Sequence, residues 1–309
     1  MSERKAVVIG VASGYGASDP SCQDGPDVLR FLGFLRDLED IEDHFRWDAV
    51  IRLPGQQAGI DPVDAVAEIA SRLAGRVSTC LAAGHFPLVI GGDHSCAIGT
   101  WSGVQFSLAG RGRLGLIWLD AHMDSHTFRT SPSHAIHGMP LACLLGYGDT
   151  RLTGIVSAAG TLRPEDVCLI GVRSFEPDEA RLLRDLGVRI YLMDEVRSRG
   201  FAAVFREARV QVGDGTAGYG ISLDLDVFEP AEALGVSTPV PGGIQRDDIV
   251  QMLKTLADDS RLLAMEIVEY HPYRDRHFGT ARAVHDLCQS LVGASPTTAS
   301  PSSCNGSEI

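Results

Sequence analysis

No run of apolar residues in the 309-residue sequence approaches the length of a bilayer span, so no membrane-spanning helix is expected. The opening Met1-Ser-Glu-Arg-Lys5 leads directly into Ala6-Val-Val-Ile-Gly10, a stretch too short for the apolar core of a secretory signal. The seven cysteines (Cys22, Cys80, Cys96, Cys143, Cys168, Cys288 and Cys304) are odd in number and include no Cys-x-x-Cys pair. Several stand in apolar surroundings such as Val167-Cys168-Leu169, where a thiol behaves as a small buried hydrophobe. That usage fits a reducing cytosol and not a disulfide framework. Basic residues are scarce, with 27 Lys and Arg against 40 Asp and Glu and a net charge of −13. A nucleic-acid partner is therefore not expected, because affinity for phosphates rests on clustered cations. Internal repeats and dividing linkers are also missing. A soluble, cytoplasmic protein with no membrane partner is the expectation.

What is present is a regular alternation of short apolar runs with longer amphipathic stretches. The runs Ala6–Gly10, Ala49–Leu53, Pro87–Gly91, Leu114–Leu119, Val167–Gly171, Arg189–Met193, Tyr219–Asp224 and Leu262–Val268 read as strands covered on both faces. Between them, Asp61-Pro62 supplies a helix N-cap and a first-turn proline, and that helix runs to a stop at Gly84. Further helices are expected over Asp27–Leu38, Pro177–Leu186, Arg246–Ala257 and Thr280–Leu291. The pattern predicts a single-domain, three-layer α/β/α fold with a mostly parallel eight-stranded sheet. One domain is expected over residues 1–292, followed by a disordered tail over 293–309, where Pro, Ser and Thr replace any apolar periodicity.

In such folds ligands lie beyond the carboxyl ends of the strands, and four chemically loaded segments fall there. They are Gly91-Gly-Asp-His94-Ser, Asp120-Ala-His122-Met-Asp124, Ser222-Leu-Asp224-Leu-Asp226 and Glu269-Tyr-His271-Pro. Residues two apart in an extended chain point the same way, so Asp120, His122 and Asp124 share a side, as do Asp224 and Asp226. With His94 this brings four carboxylates and two imidazoles to one edge. Carboxylates so crowded repel unless cations or protons neutralise them, and an oxygen-rich set with two histidines and no thiolate suits manganese better than structural zinc. Singly, each motif could match by chance. Together, each at a strand end, they point to a metal-dependent active site.

The order of these motifs resembles the ureohydrolase family of arginases, agmatinases and related amidinohydrolases, with Gly25-Pro-Asp-Val-Leu-Arg30, Ser237-Thr-Pro-Val-Pro-Gly-Gly243 and Gly279-Thr-Ala281 adding to the likeness up to about Val292. The resemblance implies two Mn2+ ions. His94, Asp120, Asp124 and Asp224 would hold one, and Asp120, His122, Asp224 and Asp226 the other. It implies attack of metal-activated hydroxide on a guanidinium carbon, with Asp124 holding the remaining proton, His137 shuttling a proton to the leaving amine and Glu269 pairing with the guanidinium. By position His126, Ser131 and Ser133 would bind a substrate α-carboxylate, and Glu176 and Glu179 an α-amino group. His126 stands where arginases commonly carry Asn, and Glu176 where they usually carry Asp. The leading expectation is hydrolysis of L-arginine to L-ornithine and urea by a homotrimer or homohexamer. Agmatinase, guanidino-acid hydrolase and formiminoglutamase activities are the alternatives, with a metal-binding regulatory homologue as the non-enzyme reading.

The remaining features have ordinary explanations. Gly110-Arg-Gly112-Arg-Leu-Gly115 resembles a dinucleotide fingerprint, but it precedes a strand where the fingerprint must follow one. His285 and Cys288 share a helix face, His85 and His134 are expected in loops, and Trp101 and Trp118 in the core.

Overall fold

The computed structural model describes residues 5–39, 44–53 and 59–292, so the expected tail lies outside the described residues. Its strands are β1 (Ala6–Val11), β2 (Phe45–Ile51), β3 (Phe86–Ile90), β4 (Arg113–Leu119), β5 (Val167–Val172), β6 (Arg189–Leu192), β7 (Thr216–Asp224) and β8 (Leu262–Val268). They form one sheet in the order β2-β1-β3-β8-β7-β4-β5-β6, and every strand pair is parallel. The sheet is thus wholly parallel where it was expected to be mostly so.

Period-two alternation splits each central strand between two cores. In β4, Ile117 and Leu119 face one layer, packed with residues of the helices Phe201–Gly213, Arg246–Lys254 and Gly279–Val292. Leu114, Leu116 and Trp118 face the other, with the helices Pro62–Ala82, Ala97–Ser107 and Thr150–Ala159. Both faces are covered, which is what a parallel sheet requires.

The structure departs from the sequence expectations at three elements. β2 begins at Phe45, not Ala49, because it is an edge strand whose buried Phe45 and Trp47 flank an exposed Arg46, an alternation that a search for continuous apolar runs passes over. The helix expected over Asp27–Leu38 is two pieces, Gly25–Phe31 and Arg36–Glu39, separated where Gly33 takes φ +69, a conformation that glycine tolerates at little cost. The helix from Arg246 ends at Lys254. Of the helices not anticipated, Ala97–Ser107 is instructive, since it is buried continuously from Ala97 to Val104 and has no polar face to give a 3.6-residue period. No helix among the described residues is long and apolar enough to cross a membrane.

Candidate metal centre and active site

The four motif-bearing strands β3, β8, β7 and β4 are consecutive neighbours at the middle of the sheet. At roughly 4.8 Å between strands, their carboxyl ends lie within about 15 Å of one another. Sequence-distant residues are therefore delivered to one place by topology. His94 opens a short 3-10 turn after β3, Asp120 follows β4, Asp224 ends β7 and Glu269 follows β8.

His94 Nδ1 lies 2.9 Å from Asp124 Oδ2, 3.2 Å from Asp224 Oδ2 and 3.3 Å from Asp120 Oδ2. His122 Nδ1 lies 3.0 Å from Asp226 Oδ2 and 3.5 Å from Asp120 Oδ1. Asp120 thus turns one oxygen to each histidine and joins the two groups, His94/Asp120/Asp124 and Asp120/His122/Asp226. All six residues expected as ligands meet. The local geometry differs from the extended chain assumed for them. Asp124 sits at φ +48, and Asp226 lies in a 3-10 turn whose Asp226 N–H donates to Asp224 Oδ1 at 2.8 Å. Glu269 is also at positive φ, +67. Non-glycine residues held there cost on the order of 1–3 kcal/mol and cluster at functional sites. Here the Glu269 N–H donates to Gly92 O at 2.8 Å, and Asp124 O accepts from the Leu141 N–H at 2.9 Å.

Electrostatically the centre is short of positive charge. Asp120, Asp124, Asp224 and Asp226 are all buried, with two imidazoles among them. Burial opposes a charged His94, but the Asp124 charge and the contacts with Asp120, Asp124 and Asp224 hold its pKa well above the ordinary value. Burial and the Asp120 charge push Asp124 up to about 6, and burial with the Asp226 and Asp120 charges raises Asp224. Buried His94 Nδ1 makes no hydrogen bond although it faces three carboxylates. An orphaned ring nitrogen amid carboxylate oxygens is a donor set that divalent cations satisfy, so these residues fit metal binding.

A cavity of about 220 Å³ reaches this centre, lined by His122, Asp124, Asp224 and Asp226 together with His137 and Glu269. Glu269 is fixed at both oxygens, Oε1 accepting from the His94 N–H (2.9 Å) and facing His137 Nδ1 (3.0 Å), and Oε2 accepting from the Cys22 thiol (3.3 Å). Burial opposes ionisation of both partners, yet each stabilises the other's charge, so His137 rises to about 9 and Glu269 falls to about 2.

The same cavity is also lined by His126, Ser133, Glu176 and Glu179. His126 Nε2 lies 3.0 Å from Glu176 Oε2, so the expected carboxylate-binding group touches one of the expected amine-binding groups. Glu179 Oε1 accepts from the Glu176 N–H at 2.9 Å at the start of the helix Pro177–Leu186, and burial lifts Glu179 to about 8. Ser131 is buried, and its hydroxyl accepts from the His134 N–H at 3.0 Å instead of bordering the cavity.

Sequence reasoning left several contributors without a role. Trp118, expected as plain core, is buried but donates from Nε1 to Asp120 Oδ2 at 2.9 Å and stacks on the His94 ring at 4.3 Å. Asp93 accepts from the Ser95 and Gly16 N–H groups, and Gly16 O accepts from the His137 N–H, so Asp93 braces the loop that places His137. Thr238 donates to Asp226 Oδ2 at 3.2 Å. Asp93 and Thr238 lie inside quoted motifs, which was the available signal. Nothing in the pattern marks Cys22 or Trp118. Trp101 is core as expected, and His285 contacts Asp37 from the last helix, where Cys288 is buried.

Comparison with known proteins bears on the family of the whole chain. The arginase family model matches residues 4–293. The arginase of Brevibacillus brevis is 40% identical over 293 residues, covering 93% of this chain and 97% of that protein. The solved arginase of Bacillus caldovelox superposes with a TM-score of 0.87 at 36% identity, over 96% of this chain and all of the other. Entamoeba histolytica arginase, solved in complex with L-ornithine, gives 0.86 at 30% identity, covering 95% of this chain and 100% of that one. With the family model spanning the whole described sheet, and such relatives along nearly the full length, this chain belongs to the arginase family.

Proposed function

We propose that this protein hydrolyses the guanidino C–N bond of L-arginine to give L-ornithine and urea, with two Mn2+ ions. The observation that carries the reading is the pair of ligand groups sharing Asp120 at a cavity that Glu269 and His137 border. His94, Asp120, Asp124 and Asp224 would hold one ion, and Asp120, His122, Asp224 and Asp226 the other. A metal pair so held supplies a water of lowered pKa, and with it a nucleophile at neutral pH.

The chain's own groups do the rest. Glu269, ionised at neutral pH, receives the planar guanidinium in a charge-assisted contact and fixes its carbon beside the metal ligands. Asp124, at the cavity's edge, holds the proton that the water retains. His137, raised to about 9 by Glu269 against the cost of burial, carries a proton at neutral pH and passes it to the leaving amine. Glu176 and Glu179 take the α-amino group, while His126 and Ser133, which border the cavity, take the α-carboxylate.

A second reading is agmatine, whose tail is an amine without a carboxylate, because the contact with Glu176 engages the His126 ring that a carboxylate would need. The L-ornithine bound to the Entamoeba relative favours arginine. A urea-release screen of arginine, agmatine, guanidino acids and a formimino substrate with Mn2+ present tests both. Urea from arginine at the highest kcat/KM is expected, and no urea from any of them defeats the proposal. Six described cysteines, all free and buried, support a reducing, cytoplasmic setting. A trimer or hexamer by analytical ultracentrifugation is the expected assembly.

A further inference from the structure

Behind His94 the buried core contains a polar chain that the reaction itself does not use. His94 Nε2 lies 2.9 Å from Ser222 Oγ. The Ser222 hydroxyl donates to Glu266 Oε1 at 2.6 Å, and Trp101 Nε1–H donates to the same oxygen at 2.6 Å. Trp101, Ser222 and Glu266 have no exposed surface and His94 almost none. A carboxylate buried this deeply is expensive unless its hydrogen bonds are directed to a purpose.

The backbone is arranged around this chain. Ser222 and Glu266 are register partners on β7 and β8. Two residues before Ser222, Gly220 leaves the space that the Trp101 ring fills, since a Cβ there would lie 2.0 Å from Trp101 Cζ3. With any larger residue at 220 the indole would be displaced from Glu266.

The geometry points to Trp101 and Glu266 as positioning residues that fix the tautomer of His94 for metal binding, an inference that rests on His94 being a metal ligand. Glu266 Oε1 accepts from both the Trp101 N–H and the Ser222 hydroxyl, so the single Ser222 proton is committed toward it. The Ser222 lone pair then receives the proton of His94 Nε2. In the neutral ring that would bind a cation, Nδ1 is then the unprotonated atom, and it faces Asp120, Asp124 and Asp224 with no hydrogen bond of its own. Partners of this kind orient a ligating imidazole and raise its basicity.

The test counts bound Mn2+ on the full-length protein by the EPR signal of free Mn2+ during titration. Wild-type protein should bind two ions. Glu266→Gln, whose amide is a weaker acceptor, and Trp101→Phe, which keeps a ring but loses the N–H, should each weaken one ion about tenfold or more and leave the other unchanged. Wild-type affinity for both ions in these variants, or equal weakening of both, overturns the relay. If Glu266→Gln does not fold, Trp101→Phe decides. His94→Ala separates the two ideas, because retention of both ions in that variant defeats the metal assignment itself.

Discussion

His137 Nδ1 lies 3.0 Å from Glu269 Oε1, joining a residue of the loop after β4 to the residue that follows β8. The contact places a protonated imidazole next to the carboxylate proposed to anchor the substrate. Loss of a positioned general acid typically costs 10²–10⁴-fold. His137→Ala is therefore expected to lower kcat at least a hundredfold while bound Mn2+ stays near the wild-type level, because His137 belongs to neither ligand group. Steady-state urea release paired with metal analysis measures this. A wild-type rate rejects the proton-transfer role, and loss of metal reassigns the residue.

The same pair gives a pH signature. His137 is raised from 6.5 to about 9 by the Glu269 charge and hydrogen bond, against burial, so its contribution to stability is complete below its ordinary value and fades as pH rises through about 9. Glu269 is lowered from 4.5 to about 2, again against burial, so its contribution fades only as pH falls through about 2. In metal-free protein, wild type should exceed His137→Asn by on the order of 2–3 kcal/mol near pH 6, and the gap should shrink toward pH 10. Urea unfolding across that range reads it. A gap independent of pH would show that the two side chains do not share charge.

Much of this arrangement was legible in the sequence because parallel strands buried on both faces write themselves as apolar runs, and catalytic groups in such folds follow those runs. All six proposed ligands were named on that basis. What the sequence concealed were cases where burial erases or alternation dilutes the signal, as in the helix Ala97–Ser107 and the edge strand β2. The strand order was hidden as well. Nothing local says that β8 lies between β3 and β7, although that placement brings Glu269 beside His94. The supporting roles of Trp118 and Asp93 depend on hydrogen-bond direction, which composition and spacing do not encode.

Metal binding should also be visible in stability. Four buried carboxylates with two imidazoles repel in the absence of cations, so ligand-linked stabilisation should be large. A ligand at a hundred times its Kd adds about 2.7 kcal/mol. Saturating Mn2+ is expected to raise the melting temperature of chelator-treated protein by several degrees. Asp224→Ala, which removes a carboxylate 3.2 Å from His94 Nδ1, and Asp124→Ala should abolish turnover and most of that rise. Calorimetric scans with and without Mn2+ check this, and an undiminished rise in both variants counts against the ligand assignment.

The wall formed by His126 and Glu176 separates tail recognition from chemistry. His126 is proposed to reach the α-carboxylate, far from the reacting carbon, so its contact is made equally in the ground state and the transition state. Interactions of that kind alter KM and leave kcat alone. A hydrogen bond to a charged group contributes about 1.5–3 kcal/mol, so His126→Ala should raise KM for L-arginine roughly tenfold or more at nearly constant kcat. Agmatine has no carboxylate to lose, and the same substitution frees Glu176 from its 3.0 Å contact to meet the amine. Its KM should therefore hold steady or fall. Parallel kinetics on the two substrates decide the matter, since an equal rise for both would mean that His126 shapes the pocket without reading the carboxylate.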